Sequence, residues 1–378
     1  MIKIVSHTPR TRDAHEYTFP ENHRITITCQ SGLESLVKRE SEKIGLTDIS
    51  GLDRMITGTG DLTTIYELLV RSRFSNRVYM NLSEKKVTDF DSLHEMCRQI
   101  PWELYLSGKE QIVVEASATR SELSSEPTIQ SVSQSAIFST LTTPNTTSGI
   151  EVHILILIVD NNAKILLDIT GEPLHKRGYR EEAGDAPIKE NLAAALIAFS
   201  NWRYKTPLLD PFCGSGTIAI EAAMMARNIA PGVGRRFRIE SLKFHKREEL
   251  TSVRNITRMN AYPSGEYKIY ASDIEGEMIE KAKRNAQRAG VLDDIIFSVS
   301  DFSSLSGKEK TIVTNPPYGK RLEDADIANL YSTLESMIEQ GGYITSMKRN
   351  PGTSWKNKKL LNGGDECRFW FLLPDRTK

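Results

Sequence analysis

The sequence predicts an α/β protein whose C-terminal half is a doubly wound, mostly parallel β-sheet that ends in an antiparallel hairpin. Short apolar runs alternate with helical segments from residue 191 onward, and a polar residue follows most of these runs. This alternation is typical of a parallel sheet with helices on both faces. Residues 1–170 also mix strands and helices, as α+β units do. The 378 residues are therefore expected to form more than one domain.

In the N-terminal part, strands are predicted from alternating apolar and polar residues and helices from apolar residues at three- and four-residue spacing. The first helix should begin near Leu33 and stop at Gly45, because glycine favours helix ends. Asp160-Asn-Asn162 should turn a hairpin. The predicted elements are strands Arg24–Cys29, Gln111–Ala116, Val152–Val159 and Ala163–Ile169, and helices Leu33–Ile44, Asp61–Arg73, Phe90–Gln99 and 128–141.

Residues 171–190 are basic, polar and turn-rich, so we expect a linker there and the main domain boundary with it. Strands and helices alternate beyond this segment. A last pair of strands should turn around Asn362-Gly-Gly364. The predicted strands are Pro207–Asp210, Tyr267–Ala271, Ile295–Val299, Thr311–Thr314, Gly342–Ser346, Leu360–Gly364 and Arg368–Leu373, and the helices are Asn191–Arg203, Thr217–Arg227, Met278–Ala289 and Ile327–Gln340.

Composition excludes several classes of protein. Apolar runs such as Ile154–Val159 are too short to span a bilayer. The four cysteines are far apart and form no CxxC pair, so we expect neither a metal site nor a disulfide framework. This pattern is typical of a protein in a reducing cytoplasm. The chain has no net charge, but residues 1–170 carry 17 basic and 22 acidic side chains. A nucleic-acid partner would therefore need a local basic patch.

A glycine turn follows the first strand of the C-terminal half. Gly214-Ser-Gly216 directly precedes a helix, and glycine allows a tight turn and close approach of a ligand to the backbone. The same residues fit the G-x-G-x-x-G/A pattern of dinucleotide-binding proteins. A nicotinamide cofactor is disfavoured, because the acidic residue after the second strand, Asp273, stands 57 positions beyond Gly216 rather than about 20.

S-adenosylmethionine satisfies these constraints. Gly214, Gly216 and Thr217 would hold its methionine part, and Asp273 would accept hydrogen bonds from both ribose hydroxyls. Asp301 would accept one from the adenine amino group, with Ile274 packed on the adenine ring. The predicted cofactor-binding set from these strand ends is Asp210, Phe212, Gly214, Ser215, Gly216, Thr217, Asp273, Ile274, Asp301, Phe302 and Asn315.

The sharpest motif, Asn315-Pro316-Pro317-Tyr318, lies about a hundred residues after the glycine turn. Consecutive prolines cannot continue a β-ladder, so they fix the backbone with its carbonyls pointing outward. The Asn315 amide oxygen and the Pro316 carbonyl could each accept one N–H of an exocyclic base amine, which directs the nitrogen lone pair toward the methyl group. Tyr318 offers a face on which the extruded base could stack. These four residues are the predicted catalytic set.

Together these motifs resemble those of the bacterial ribosomal-RNA guanine-N2 methyltransferases that contain a THUMP domain. The resemblance covers nearly the whole chain, and the segments that carry it are Gly32-Leu-Glu34, Leu174-His-Lys-Arg-Gly-Tyr-Arg180, Pro187-Ile-Lys-Glu-Asn-Leu192, 210–223, Asn228-Ile-Ala-Pro-Gly232 and 315–321. The resemblance implies a ferredoxin-like unit (1–68), an RNA-binding THUMP domain (69–170), a linker (171–190) and a Rossmann-like methyltransferase domain (191–378).

The resemblance also implies that Pro187, Glu190 and Asn191 lie near the methionine end of the cofactor, and that the partner is RNA, most naturally ribosomal RNA. Since the N-terminal part is net acidic, its RNA contacts should come from a cluster such as Arg71, Arg73 and Arg77.

Three other functions stay open at this point. N-P-P-Y is shared between guanine-N2 and adenine-N6 enzymes, so a DNA adenine-N6 methyltransferase is one alternative. The others are a non-catalytic RNA-binding or ribosome-assembly protein, which the intact Asn315 motif and Asp273 disfavour, and an oxidoreductase, which the position of Asp273 disfavours.

Overall fold

The computed structural model describes residues 18–141, 149–180, 188–317 and 324–373. Their strands are β1 Asn22–Cys29, β2 Thr47–Leu52, β3 Met55–Asp61, β4 Ser75–Lys86, β5 Gln111–Thr119, β6 Glu151–Val159, β7 Asn162–Asp168, β8 Leu208–Asp210, β9 Ile269–Asp273, β10 Ile295–Val299, β11 Thr311–Thr314, β12 Gln340–Thr345, β13 Lys356–Asn362 and β14 Asp365–Leu372. Their α-helices are α1 Glu34–Ile44, α2 Leu62–Arg71, α3 Phe90–Arg98, α4 Glu126–Phe138, α5 Glu190–Phe199, α6 Thr217–Ala226, α7 Arg247–Met259, α8 Gly276–Ala289 and α9 Asp324–Met337. None of the helices in these ranges combines the length and apolar character needed to cross a bilayer.

The chain divides into two compact units. Of the described residues, the smaller contains 18–21, 83–141, 149–165 and 241–245, and the larger contains 22–82, 166–180, 188–240, 246–317 and 324–373. In the smaller unit the strand order is β7-β6-β5, with β5 and β6 parallel from Gln111↔Glu151 to Thr119↔Val159. The β6–β7 hairpin turns where predicted, with Asp160 and Asn161 at positive φ.

The larger unit begins with the antiparallel order β2-β3-β1-β4. Helix α1 ends at Gly45, as predicted, with φ at +112°. The predicted domain break between residues 68 and 69 falls inside α2. Leu68 and Leu69 are both fully buried in that helix, so a break at this point would cut one continuous packed element. Contacts keep residues 22–82 with the C-terminal part of the chain.

The C-terminal part of the larger unit is the predicted doubly wound sheet. Its strand order is β10-β9-β8-β11-β12-β14-β13, parallel throughout except for the antiparallel β14. The order reverses between β8 and β11. Ligands of such sheets bind at this reversal, outside the carboxyl ends of the strands. Below it lies a core that includes Leu209, Ile312, Tyr331 and Tyr343.

Candidate active site

The glycine turn occupies the carboxyl end of β8, where the strand order reverses. Gly214 and Gly216 have φ of +51° and +85°, a region in which side chains are rarely tolerated. A Cβ on Gly216 would lie 3.0 Å from the Cβ of Ala282 in α8. Ser215 and Thr217 are buried, and the Ser215 carbonyl accepts a hydrogen bond from Asn285 Nδ2 at 3.1 Å. The close approach to Ala282 and the Asn285 hydrogen bond therefore hold the turn against α8. Its backbone has the conformation that the sequence predicted.

Asp273 ends β9 beside this turn, as predicted. Its Oδ2 accepts a hydrogen bond from the Gly214 N–H at 2.9 Å, and its Oδ1 accepts one from the Glu275 N–H at 3.1 Å. Two backbone donors fix the carboxylate orientation, while Ile274 beside it leaves 66% of its surface exposed. A carboxylate and an apolar side chain at this edge suit a ribose and the face of a purine.

Asp301 and Phe302 follow β10. Asp301 is exposed, and its Oδ1 accepts hydrogen bonds from the Ser303 hydroxyl (2.7 Å) and N–H (2.9 Å), which lower the pKa of the carboxyl. The Phe302 ring lies 4.8 Å from the Phe212 ring, centroid to centroid. The structure thus brings a carboxylate and an aromatic pair to the carboxyl end of β10, beside strand β9, which ends at Asp273.

Asp210 has a different environment from the other predicted cofactor ligands. It is 1% exposed, and its Oδ1 accepts hydrogen bonds from Thr314 Oγ1 at 2.6 Å and from the Phe212 N–H at 3.3 Å. Burial, with a smaller contribution from the charge of Asp273, raises the pKa of Asp210 to about 7. Asp210 therefore ties the end of β8 to the end of β11, which positions the residues on either side of the strand reversal.

We expect the Asp210→Asn variant to be more stable than the wild type at neutral and higher pH. The folded pKa lies above the usual value of 3.8, so the carboxyl's contribution to stability is fully present below about pH 4 and is lost as pH rises through about 7. Asparagine keeps an oxygen for Thr314 without the charge. The difference in unfolding free energy should grow by about 2–4 kcal/mol from pH 4 to pH 8. Urea unfolding across this range measures it, with Asp293→Asn at an exposed position as control. A difference that does not change with pH would contradict the expectation.

The Asn315 motif leaves the sheet directly after β11. The Asn315 side-chain oxygen is buried, and no residue in the described part of the chain donates a hydrogen bond to it. Pro316 is buried and Pro317 is partly exposed. Tyr318, Lys320 and Arg321 lie outside the described residues, so the predicted stacking role of Tyr318 stays a prediction. A buried acceptor without a donor costs about 1–3 kcal/mol, which indicates that this oxygen is set to receive a hydrogen bond from a ligand.

Glu190 and Asn191 begin α5, and both are buried. Glu190 Oε2 lies 3.3 Å from Arg180 Nη2, and burial raises the pKa of the carboxyl. The Asn191 amide oxygen is likewise buried and accepts no hydrogen bond from the described residues. Pro187 lies outside the described residues. The structure thus places a second buried acceptor, the Asn191 amide oxygen, at the start of α5. Its contact with a cofactor stays a prediction.

The segment expected to be a linker is partly built into the larger unit. Arg177 and Tyr179 are buried, and the Glu221 carboxylate of α6 receives Arg177 Nε at 3.4 Å and the Tyr179 hydroxyl at 3.2 Å. A buried ion pair with an added hydroxyl donor needs fixed geometry, which explains the basic and aromatic residues of this motif.

The predicted RNA-contacting arginines are mostly occupied inside the protein, which corrects that expectation. Arg77 pairs with Asp168 and donates to the Gly171 carbonyl at 2.6 Å. Arg73 donates to the Ile229 carbonyl at 2.7 Å. Only Arg71 of the three is exposed, and it pairs with Glu67. Clustered arginines in sequence resemble a surface patch, but here two of them hold backbone segments together.

Sequence reasoning missed Thr314 and Asn285. Thr314 precedes the Asn315 motif and holds Asp210, and Asn285 holds the glycine turn through the Ser215 carbonyl. The sequence offered one usable signal for Thr314, since a hydroxyl side chain at the end of a buried strand needs a partner. Asn285 sits inside a helix, where its partner depends on tertiary packing.

Comparison with protein families places this geometry among methyltransferases. The model of an RMKL-like methyltransferase domain matches residues 177–350, and the model of the RlmL ferredoxin-like domain matches residues 24–79.

Two curated relatives agree with these matches. The protein named "Putative RNA methyltransferase YpsC" from Bacillus subtilis is 32% identical over 382 residues, covering 95% of this chain and 99% of the relative. The ribosomal RNA large subunit methyltransferase K/L of Psychromonas ingrahamii is 36% identical over 323 residues, covering 82% of this chain. This chain spans 43% of the length of that second relative.

A solved structure shows the same architecture. SMU.472, described as "a putative methyltransferase complexed with SAH", superposes with a TM-score of 0.87 at 30% identity, over 95% of this chain and all of that one. The fold class predicted from the sequence is therefore confirmed.

Proposed function

Since the chain belongs to the RMKL-like methyltransferase family, we propose that it methylates the exocyclic N2 amino group of a guanine in 23S ribosomal RNA, with S-adenosylmethionine as methyl donor. The observation that carries this proposal is the buried oxygen of Asn315, across the strand reversal from the glycine turn, which receives no hydrogen bond from the described residues. An oxygen acceptor there fits an amine whose two N–H groups need partners.

The residues at the strand ends fit the methyl donor. Gly214 and Gly216 form a tight positive-φ turn at the start of α6, and Asp273 presents a fixed carboxylate for ribose hydroxyls. SMU.472, similar over its whole length, is described as complexed with SAH, the product form of this donor. We assign Asp301 and Phe302 to the adenine, and Glu190 and Asn191 to the methionine end.

The chain's own contribution to the reaction is the orientation of the amine. The amine lone pair is delocalised into the purine ring, so the nitrogen is a weak nucleophile. When Asn315 Oδ1 and the Pro316 carbonyl accept its two N–H groups, the lone pair is directed out of the ring plane. When bound, S-adenosylmethionine supplies an electrophilic methyl group on sulfur. Transfer would replace that C–S bond with an N–C bond, and one N–H proton of the amine would leave to solvent.

Two observations favour RNA as the substrate. The relatives similar over most of this chain are named as an RNA methyltransferase and a ribosomal RNA methyltransferase. The N-terminal region matches the RlmL ferredoxin-like model. We further assign RNA binding of the THUMP kind to the smaller unit, which follows this region in the chain.

Mass spectrometry of nucleosides from a strain that lacks the gene tests the proposal. We expect loss of N2-methylguanosine from 23S ribosomal RNA, restored by the wild-type gene and not by Asn315→Ala. Loss of N6-methyladenine from DNA instead would establish the adenine alternative. Unchanged nucleosides with a defect in ribosome assembly would favour the non-catalytic alternative.

A further inference from the structure

Two exposed cations on α1 have no ion-pair partner among the described residues. Arg39 and Lys43 stand four residues apart, on the same face of this helix. Neither forms a salt bridge within the described ranges, whereas Lys38 on the same helix pairs with Glu42. Their free charge is thus available to a ligand.

Both cations line a cleft of about 430 Å³ that lies wholly within the larger unit. One wall consists of α1 and α2, and the other comes from the ends of α5 and α7 and the segment after α6. Arg71 and Arg73 also line it, as do the amide residues Asn228 and Asn260. The cleft therefore concentrates hydrogen-bond donors.

The floor of the cleft holds an incompletely paired guanidinium. Arg73 Nη2 donates to the carbonyls of Ile229 (2.7 Å) and Met224 (3.4 Å). Its Nη1 is buried and has no hydrogen-bond partner in the described part of the chain. A buried unpaired donor is costly, more so on a charged group, so this guanidinium adds positive charge beneath the cleft that the described residues do not fully satisfy.

The carboxylates beside the cleft are already engaged. Glu40 accepts from the Ser72 hydroxyl at 2.6 Å and from the Arg73 N–H at 2.9 Å. Glu67 pairs with Arg71 at 2.6 Å. Four cationic side chains thus line the cleft beside two carboxylates, and Arg39 and Lys43 form no salt bridge with any described residue. The cleft suits a tetrahedral oxyanion with several acceptor oxygens, as a phosphate is.

We propose that this cleft binds a backbone phosphate of the RNA substrate, at a point distant from the target base. The proposal rests on the RNA substrate proposed above. The cleft lies at the C-terminal end of α6 (Asn228 follows it), whereas the glycine turn lies at the N-terminal end. A ten-residue helix separates them by roughly 15 Å. The contact anchors the RNA and carries no base specificity.

Charge reversal in the cleft tests this directly. In the full chain, Arg39→Glu with Lys43→Glu should weaken binding of an unmodified 23S rRNA transcript by about tenfold or more at 0.1 M salt, and should flatten the dependence of affinity on salt. S-adenosylhomocysteine affinity and melting temperature should stay at the wild-type values. The matched control is Arg236→Glu with Lys308→Glu, two exposed cations that do not line the cleft.

Each outcome decides the proposal. Wild-type RNA affinity in the cleft variant, an equal loss in the control, or no RNA binding by the wild type overturns it. Inorganic phosphate provides a second arm: if it raises the melting temperature of the wild type but not of the cleft variant, while both bind RNA equally, the occupant is free phosphate and the RNA assignment is wrong. Cleft-dependent RNA binding without methyl transfer would keep the cleft and reject the proposed function.

Discussion

Asn315→Ala should lower the rate of methyl transfer by about 10²–10³-fold and leave the affinity for S-adenosylhomocysteine within about threefold. The physical reason is that Asn315 Oδ1 is buried without a donor among the described residues, so its hydrogen bond is made only when the substrate amine is present. Single-turnover methylation of an RNA transcript measures the rate, and calorimetry measures the affinity.

The free protein gives an independent check of the same assignment. Asn315 Oδ1 receives no hydrogen bond from the described residues, so removing it should not destabilise the free protein. The melting temperature of Asn315→Ala should therefore equal or exceed that of the wild type. Asn315→Asp is the matched variant: it keeps an oxygen at the same place and should recover part of the rate. An alanine variant with the full rate would refute the amine-orienting role, and one that loses cofactor affinity to the same extent would assign Asn315 to cofactor binding instead.

Asp273→Ala should weaken binding of S-adenosylhomocysteine by about 10²–10⁴-fold. The variant would lose the two charge-assisted hydrogen bonds that we propose Asp273 accepts from the ribose, each contributing about 1.5–3 kcal/mol. It also loses the bond that Asp273 makes to the Gly214 N–H at 2.9 Å, which orients the glycine turn. Isothermal titration calorimetry with the full chain measures the change.

Two further variants separate these causes. Asp273→Asn keeps one acceptor oxygen and removes the charge, so its affinity should lie between those of the wild type and the alanine variant. Asp293→Ala removes an exposed carboxylate before β10 and should bind as the wild type does. Wild-type affinity in Asp273→Ala would show that the ribose binds elsewhere.

The sequence predicted the doubly wound sheet well, because its strands are buried and apolar and are separated by helices and polar strand ends. It missed β2, β3, β4 and α7. Strand β2 is almost entirely exposed, so it carries little apolar periodicity and its conformation depends on the strand beside it. Strands β3 and β4 and helix α7 do bury apolar side chains, so their absence from the prediction has no such cause.

The candidate site divides in the same way. The glycine turn and Asp273 were predictable, because a turn between strand and helix and a carboxylate at a strand end have local causes. The bond between Thr314 and Asp210 was not, since it joins residues 104 positions apart. Arg73 and Arg39 show the limit most clearly. The sequence suggested Arg73 as an RNA contact, but Arg73 donates to a backbone carbonyl. Only the fold shows that Arg39 forms no salt bridge with the described residues.

The most direct test of the central claim uses purified full-length protein, S-adenosylmethionine and unmodified 23S rRNA transcript, with the methylated nucleoside identified by mass spectrometry. Adenine-containing DNA serves as the competing substrate. We expect N2-methylguanosine in the RNA with the wild type and none with Asn315→Ala. Methyl transfer to the adenine amine of DNA, or no transfer to RNA from protein that binds both cofactor and transcript, would contradict the account.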